Sequence, residues 1–151
     1  VTLHACGKFI SMKNSNECGY TLIMSTEIIG LSHLEREIIA NVVRYNIRDF
    51  DYDMMQLETE AGQDLAGVSD RTAITILIAK LTAILRLVNS MDKTHKSKLI
   101  DCRMAVREGQ LVITTGYKGD LALESASFEQ KAAFFEEIFG IRPVLKQKRR
   151  V

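Results

Sequence analysis

Residues 69–98 read SDRTAITILIAKLTAILRLVNSMDKTHKSK, an apolar run that closes in a polar, cationic tail. Ile74, Leu77, Ile78, Leu81, Ile84, Leu85 and Val88 recur at steps of three and four, the spacing that lines one side of an α-helix of about 20 residues. A stripe this apolar is expected to be buried. Ser69 or Asp70 can cap its start, since their side-chain oxygens can accept from the first free backbone N–H groups, and no breaker interrupts residues 71–80. At the far end Asn89, Ser90, Asp92, Lys93, Thr94, His95, Lys96 and Lys98 crowd together where the stripe stops. Any function belonging to this domain is expected near that end.

At 151 residues and 46% hydrophobic, the chain is long enough to bury a core and reads as one domain with a small appendage. Twenty Lys and Arg against nineteen Asp and Glu leave a net charge of +1, without the global field of a non-specific nucleic-acid binder, so no nucleic-acid partner is expected. A polyanion site would have to be local. Cys6, Cys18 and Cys102 are odd in number and fit no zinc or CxxC spacing, which suits reduced intracellular thiols. The N-terminus lacks a signal-peptide pattern, and Lys80, Arg86 and several threonines on the apolar helix argue against a membrane span. A cytoplasmic protein is expected.

The chain opens abruptly on LHACGKFIS, like the tail of a helix cut from something larger. Residues 18–29 place Tyr20, Ile23, Met24 and Glu27/Ile28 at helical steps and stop at Gly30, a natural left-handed C-terminal residue. Ser32-His-Leu-Glu35 is a capping box, followed by Leu34, Ile38, Val42 and Tyr45 as a buried stripe, with Arg44 and Arg48 one turn apart at its exit. Residues 49–67 are acidic and weakly patterned, a surface connection with at most a short helix over 54–57. After Lys98 the period falls to two. Ile100, Cys102, Met104 and Val106 alternate with polar or small residues as a half-buried strand, Glu108-Gly109 makes a turn, and a second strand runs to about Thr115. A helix over 125–139 shows Phe128, Ala132, Phe135 and Ile138/Phe139 on one face and ends at Gly140. Pro143 suits a short edge strand over 141–145, and residues 146–150 form a frayed basic tail. Helices first and a small hairpin sheet with one helix second predict an α+β fold.

His4, His33 and His95 are too far apart for an HExxH-type site, and His4, among apolar neighbours, reads as a core histidine rather than a ligand. No Walker, dinucleotide, nucleophile-elbow or paired-carboxylate motif is present, and Asp51 and Asp53 read as a solvated acidic loop. Lys93, His95, Lys96 and Lys98, with Arg86 two turns earlier, form one cationic concentration. Two accounts stay open for it: charge-assisted hydrogen bonds to phosphate oxygens, or cations complementing a helix C-terminal dipole.

Three blocks, LHACGKFIS, YTLIMSTEIIGLSHLEREIIANVVRYN and LTAILRLVNSMDKTH, with a closing helix ending EEIFG, resemble in order and spacing the C-terminal region of the exopolyphosphatase / guanosine pentaphosphate phosphohydrolase (Ppx/GppA) family. That region is a divergent HD-superfamily helical domain whose blocks read like LLHEIG, ISHSGHHKHSYYLI, RYHRK and LLRLADGLDRSH. Position by position, His4, Asp92 and His95 are kept, while Ala5, Asn16, Cys18, Asn46 and Asn89 replace acidic or histidine residues. Carboxamides carry no charge to offset a cation's desolvation, so the resemblance implies a degenerate site with no metal and no catalytic residue here.

The resemblance further implies an HD-like helical region over 1–97, truncated at its N-terminus, and a hairpin-plus-helix subdomain over 98–151 packed on it. The chain is then a C-terminal piece of a longer hydrolase, whose catalysis and divalent cation (Mg) belong to absent N-terminal lobes. Its expected role is accessory: retaining inorganic polyphosphate or guanosine pentaphosphate, forming a homodimer, or both. Arg44, Arg48, Arg86, Lys93, His95, Lys96 and Lys98 are the candidate phosphate contacts. The rival expectations are a residual metal-dependent nucleotide phosphohydrolase built on His4 and Asp92, and a purely structural dimerisation module using the hairpin or the Phe-rich last helix.

Overall fold

The computed structural model describes residues 3–52, 55, 57 and 71–148. The chain is α+β, helical first, with a small sheet and its helix following, and it divides into two compact units, Val1–Thr82 and Ala83–Val151.

The first unit is built on α2, His33–Arg44. Ser32 starts it as the capping box requires: its hydroxyl accepts from the Glu35 N–H at 3.2 Å, and Glu35 Oε2 accepts from the Ser32 N–H at 2.8 Å. Two sides of α2 are buried. Leu34, Ile38 and the following Tyr45 cluster with Met55, Leu57, Ile74 and Ile78, while Ala40 and Val43 cluster with Ile23 of α1, Ser15–Ser25. Before α1, the short 3-10 turn Cys6–Phe9 lies directly on the α1 backbone. A Cβ at Gly7 would stand 1.8 Å from the Ser15 carbonyl oxygen and 2.5 Å from the Gly19 nitrogen, so only glycine permits this approach.

Helix α1 ends four residues before the expected Ile29. The Ser25 and Thr26 hydroxyls donate to the Thr21 and Leu22 carbonyls, each at 2.7 Å, and satisfy last-turn acceptors before the chain turns extended at Thr26. Gly30 falls in the turn beyond.

The organising helix is α3, Arg71–Met91. Its expected cap at Ser69 or Asp70, and residues 54 and 56 of the short helix expected over 54–57, lie outside the described residues; Met55 and Leu57 are not helical. The expected stripe is only partly buried. Ile74, Ile78 and Leu85 are in the core, but Leu77, Leu81, Ile84 and Val88 are 38–45% exposed. At 100° per residue the inward side extends instead over Ala79, Thr82, Ala83, Arg86 and Ser90, all buried. Leu77, Leu81, Ile84 and Val88 fall together on the remaining, partly exposed side. By length and composition α3 could cross a membrane. Its inward residues are nonetheless core residues, with Ile74 and Ile78 in the first unit and Ala83, Leu87 and Met91 in the second.

In the second unit, β1 (Cys102–Arg107) and β2 (Gln110–Thr115) form an antiparallel hairpin. Glu108 and Gly109 have φ of +50° and +73°, the paired positive values of a two-residue turn that matches strand twist. After α4, Ala122–Phe139, the strand β3 (Arg142–Gln147) joins β2 in parallel, giving the order β1-β2-β3. The sheet is therefore mixed, and Lys146 and Gln147 belong to its edge strand and not to a frayed tail. Pro143 sits on that edge as expected. Ile113, Leu121, Phe128 and Phe135 close the core with Leu87, Met91 and Leu99. Strand β1 is more exposed than its alternation suggests, because α4 packs against β3 and its cover runs out before β1.

Candidate functional site

Past Met91 the backbone of the second unit folds back on itself. The His95 N–H donates to the Asp92 carbonyl at 3.0 Å, and the Ser97 N–H donates to Asp92 Oδ1 at 2.9 Å. His95 and Ser97 both have φ of +52°, a left-handed conformation that costs a side-chain-bearing residue roughly 1–2 kcal/mol. Such a turn persists only where its surroundings fix it. Glu124, fully buried in the first turn of α4, does so: it accepts from Thr94 Oγ1 at 2.5 Å and from Lys98 Nζ at 3.1 Å. Lys98 also donates to the Asp120 carbonyl at 2.9 Å. The Thr94 hydrogen bond holds the Glu124 carboxyl below its ordinary range, against the opposing effect of burial and with help from Glu124's own backbone N–H and from Lys98.

The candidate cations now separate. Lys93, His95 and Lys96 ride on this turn, exposed, and no described carboxylate forms an ion pair with any of them. Lys98, three residues after His95, is committed to Glu124. Arg86 is buried, its guanidinium 4.4 Å from the centroid of the Phe134 ring. Arg44 and Arg48 belong to the first unit and converge on Glu17. Arg44 grips it through two nitrogens, Nε to Oε1 at 3.0 Å and Nη2 to Oε2 at 2.9 Å, and Arg48 Nη1 reaches Oε1 at 3.0 Å. Arg44 also lies 4.7 Å over the Tyr20 ring. The Arg44 fork draws the Glu17 carboxyl below its ordinary range, and Glu17 in turn raises the Arg44 guanidinium. This clamp ties α1 to the end of α2.

Sequence reasoning missed Asp92, Thr94 and Glu124 as the groups that shape the turn. Asp92 offered a signal, since an aspartate after a helix often accepts from nearby backbone N–H groups. Glu124 offered none: its partners are 26 and 30 residues away.

The resemblance places metal ligands at positions 5, 16, 46 and 89 of this sequence. Ala5, Asn16, Asn46 and Asn89 supply no anionic or imidazole donor, and among the described residues no group of three or more His, Cys, Asp or Glu side chains converges. Cys6, Cys18 and Cys102 are free thiols, each partly buried. Chemically, the turn at 92–97 can hold an anion by charge; no described group beside it is arranged as a nucleophile with its base.

No curated protein matches the chain. The family model for Ppx/GppA phosphatase, domain III, matches residues 1–132, the whole of the first unit and most of α4 in the second. The chain belongs to the Ppx/GppA phosphatase family, as its domain III.

Proposed function

We propose that this chain is an accessory domain of an exopolyphosphatase-type phosphoanhydride hydrolase, which retains a polyphosphate chain or guanosine pentaphosphate by charge while cleavage takes place elsewhere in the protein. The observation that carries the reading is the pinned turn at 92–97. Its backbone is held by Asp92 and Glu124, and it presents Lys93, His95 and Lys96 outward without ion-pair partners among the described residues. Cations on a fixed backbone lose little freedom when a phosphate chain displaces their counterions, so each adds affinity that salt removes. Arg44, Arg48, Arg86 and Lys98 contribute through the folded frame, as ion pairs or stacking already made.

The domain itself is assigned no cofactor and no catalytic residue; a divalent cation such as magnesium belongs to the catalytic lobes of the parent hydrolase. The degenerate HD-type site and a cytoplasmic location are parts of the same reading. A second role, homodimerisation, is favoured by the open edge of β1.

Titration of the 151-residue chain with long-chain inorganic polyphosphate at low ionic strength tests the retention role. Lys93→Ala with Lys96→Ala should weaken binding several-fold and flatten its dependence on salt. Equal affinity and an equal salt slope in the two proteins would refute it.

A further inference from the structure

The sheet of the second unit has two edge strands, β3, which carries Pro143, and β1. Strand β1 is outermost in the order β1-β2-β3, pairs only with β2, and carries neither proline nor bulge along its six residues. Alternate N–H and C=O groups therefore point away from the sheet with no backbone partner among the described residues. Its side chains add an apolar overhang. Met104 and Val106 stand opposite Ile113 and Leu111, so they share the face that holds the core, yet they are 58% and 65% exposed. Ile100, just before the strand, is 75% exposed. An open backbone edge next to apolar side chains is the arrangement that accepts an added strand.

We propose that the occupant is β1 of a second copy of this chain, paired antiparallel about a two-fold axis through Met104, so that two three-stranded sheets become one. This deepens the dimerisation role proposed above by naming its surface and register. A two-fold axis normal to the sheet keeps each residue on its own face, which restricts the pairing to registers centred on a residue. Charge then selects among them. Centring on Met104 sets Arg103 against Ala105, Cys102 against Val106, and Asp101 against Arg107 of the other copy, giving two opposite-charge pairs by symmetry. Centring one residue later sets Arg103 against Arg107, and one residue earlier sets Arg103 against itself. Like charges directly opposite destabilise a ladder and opposite charges support it. The apolar set is self-complementary in the favoured register: Met104 meets Met104, flanked by the Cys102–Val106 pairs.

Sedimentation velocity of the 151-residue chain over a range of concentrations, with circular dichroism to confirm folding, tests the pairing. The parent should dissociate on dilution as a dimer. Met104→Lys, at an exposed position that leaves the core intact, should weaken the dimer at least about tenfold by placing two ammonium groups face to face. Arg107→Asp should weaken it to a similar degree, and adding Asp101→Arg in the same chain should restore it, because positions 101 and 107 meet only across the two-fold. A monomer at all concentrations up to about 1 mM would overturn both this pairing and the dimerisation role. A dimer indifferent to Met104→Lys and Arg107→Asp would overturn the pairing alone, and so would weakening by Arg107→Asp that Asp101→Arg fails to reverse.

Discussion

Replacing Glu124 by alanine removes a buried carboxylate that ties α4 to the turn after α3 through Thr94 and Lys98. Glu124 is fully buried, and the Lys98 side chain that bonds it is 14% exposed, so the pair is nearly withdrawn from water. Deleting one partner of a buried pair costs about 3–5 kcal/mol, chiefly because the remaining charge is left without compensation. The residual exposure of Lys98 lets water reach the ammonium and places the cost near the lower figure, about 3 kcal/mol including the orphaned Thr94 hydroxyl. For a chain of this size that corresponds to a fall in Tm of about 6–12 °C. Urea unfolding at neutral pH, followed by circular dichroism, should show an earlier midpoint with unchanged slope. Glu124→Leu combined with Lys98→Met should recover most of the loss, since an apolar pair of similar volume leaves no charge behind. The sign of the pH dependence follows from the lowered Glu124 carboxyl. Its stabilisation is complete above the ordinary carboxylate value of 4.5 and is lost as pH falls through the lower native value. Glu17 and Glu35 are lowered too, by Arg44 and by Ser32, so acid should destabilise the parent more steeply than Glu124→Gln without flattening the variant entirely. An alanine variant within about 0.5 kcal/mol of the parent would mean that Glu124 does not hold the turn.

Gly7→Ala should destabilise the first unit by about 1–3 kcal/mol or more in the same urea assay, because the added carbon meets the α1 backbone at Ser15 and Gly19 and neither can yield as a side chain would. Gly116→Ala, where a Cβ meets nothing within 4 Å, is the matched control and should lie within about 0.5 kcal/mol of the parent. Ser32→Ala should cost about 1 kcal/mol by unmaking the capping box of α2, and Ser32→Gly only about a few tenths of a kcal/mol.

What was legible in the sequence was whatever its own neighbourhood decides. The capping box at Ser32 needs only residues 32–35, the hairpin turn only Glu108 and Gly109, and the inward face of α4 only the spacing of Phe128, Ala132 and Phe135. Each appears in the structure where local rules place it. The parallel strand β3 was harder, since nothing within residues 142–147 says which strand it will join or in which direction. On α3 the expectation followed the bulk of the side chains, whereas the buried side also takes small and polar ones. Ala79, Ala83 and Ser90 take that side, and it carries Arg86 inward with them.

The candidate site shows the same division between near and far. A cation is free or committed according to carboxylates that sequence proximity does not reveal. Glu17 lies 27 residues from Arg44 and 31 from Arg48, and Glu124 lies 26 from Lys98. Runs of like charge therefore overstate a binding site, and each long-range ion pair removes members from it. What distinguishes Lys93, His95 and Lys96 is that the side chains shaping their backbone, Asp92 and Glu124, act through Ser97, Thr94 and Lys98 and leave these three heads unpaired by any described carboxylate. A held backbone and cations unpaired by described carboxylates coincide on the same turn, and that coincidence, more than the number of basic residues, is what supports the proposed retention of a phosphate chain there.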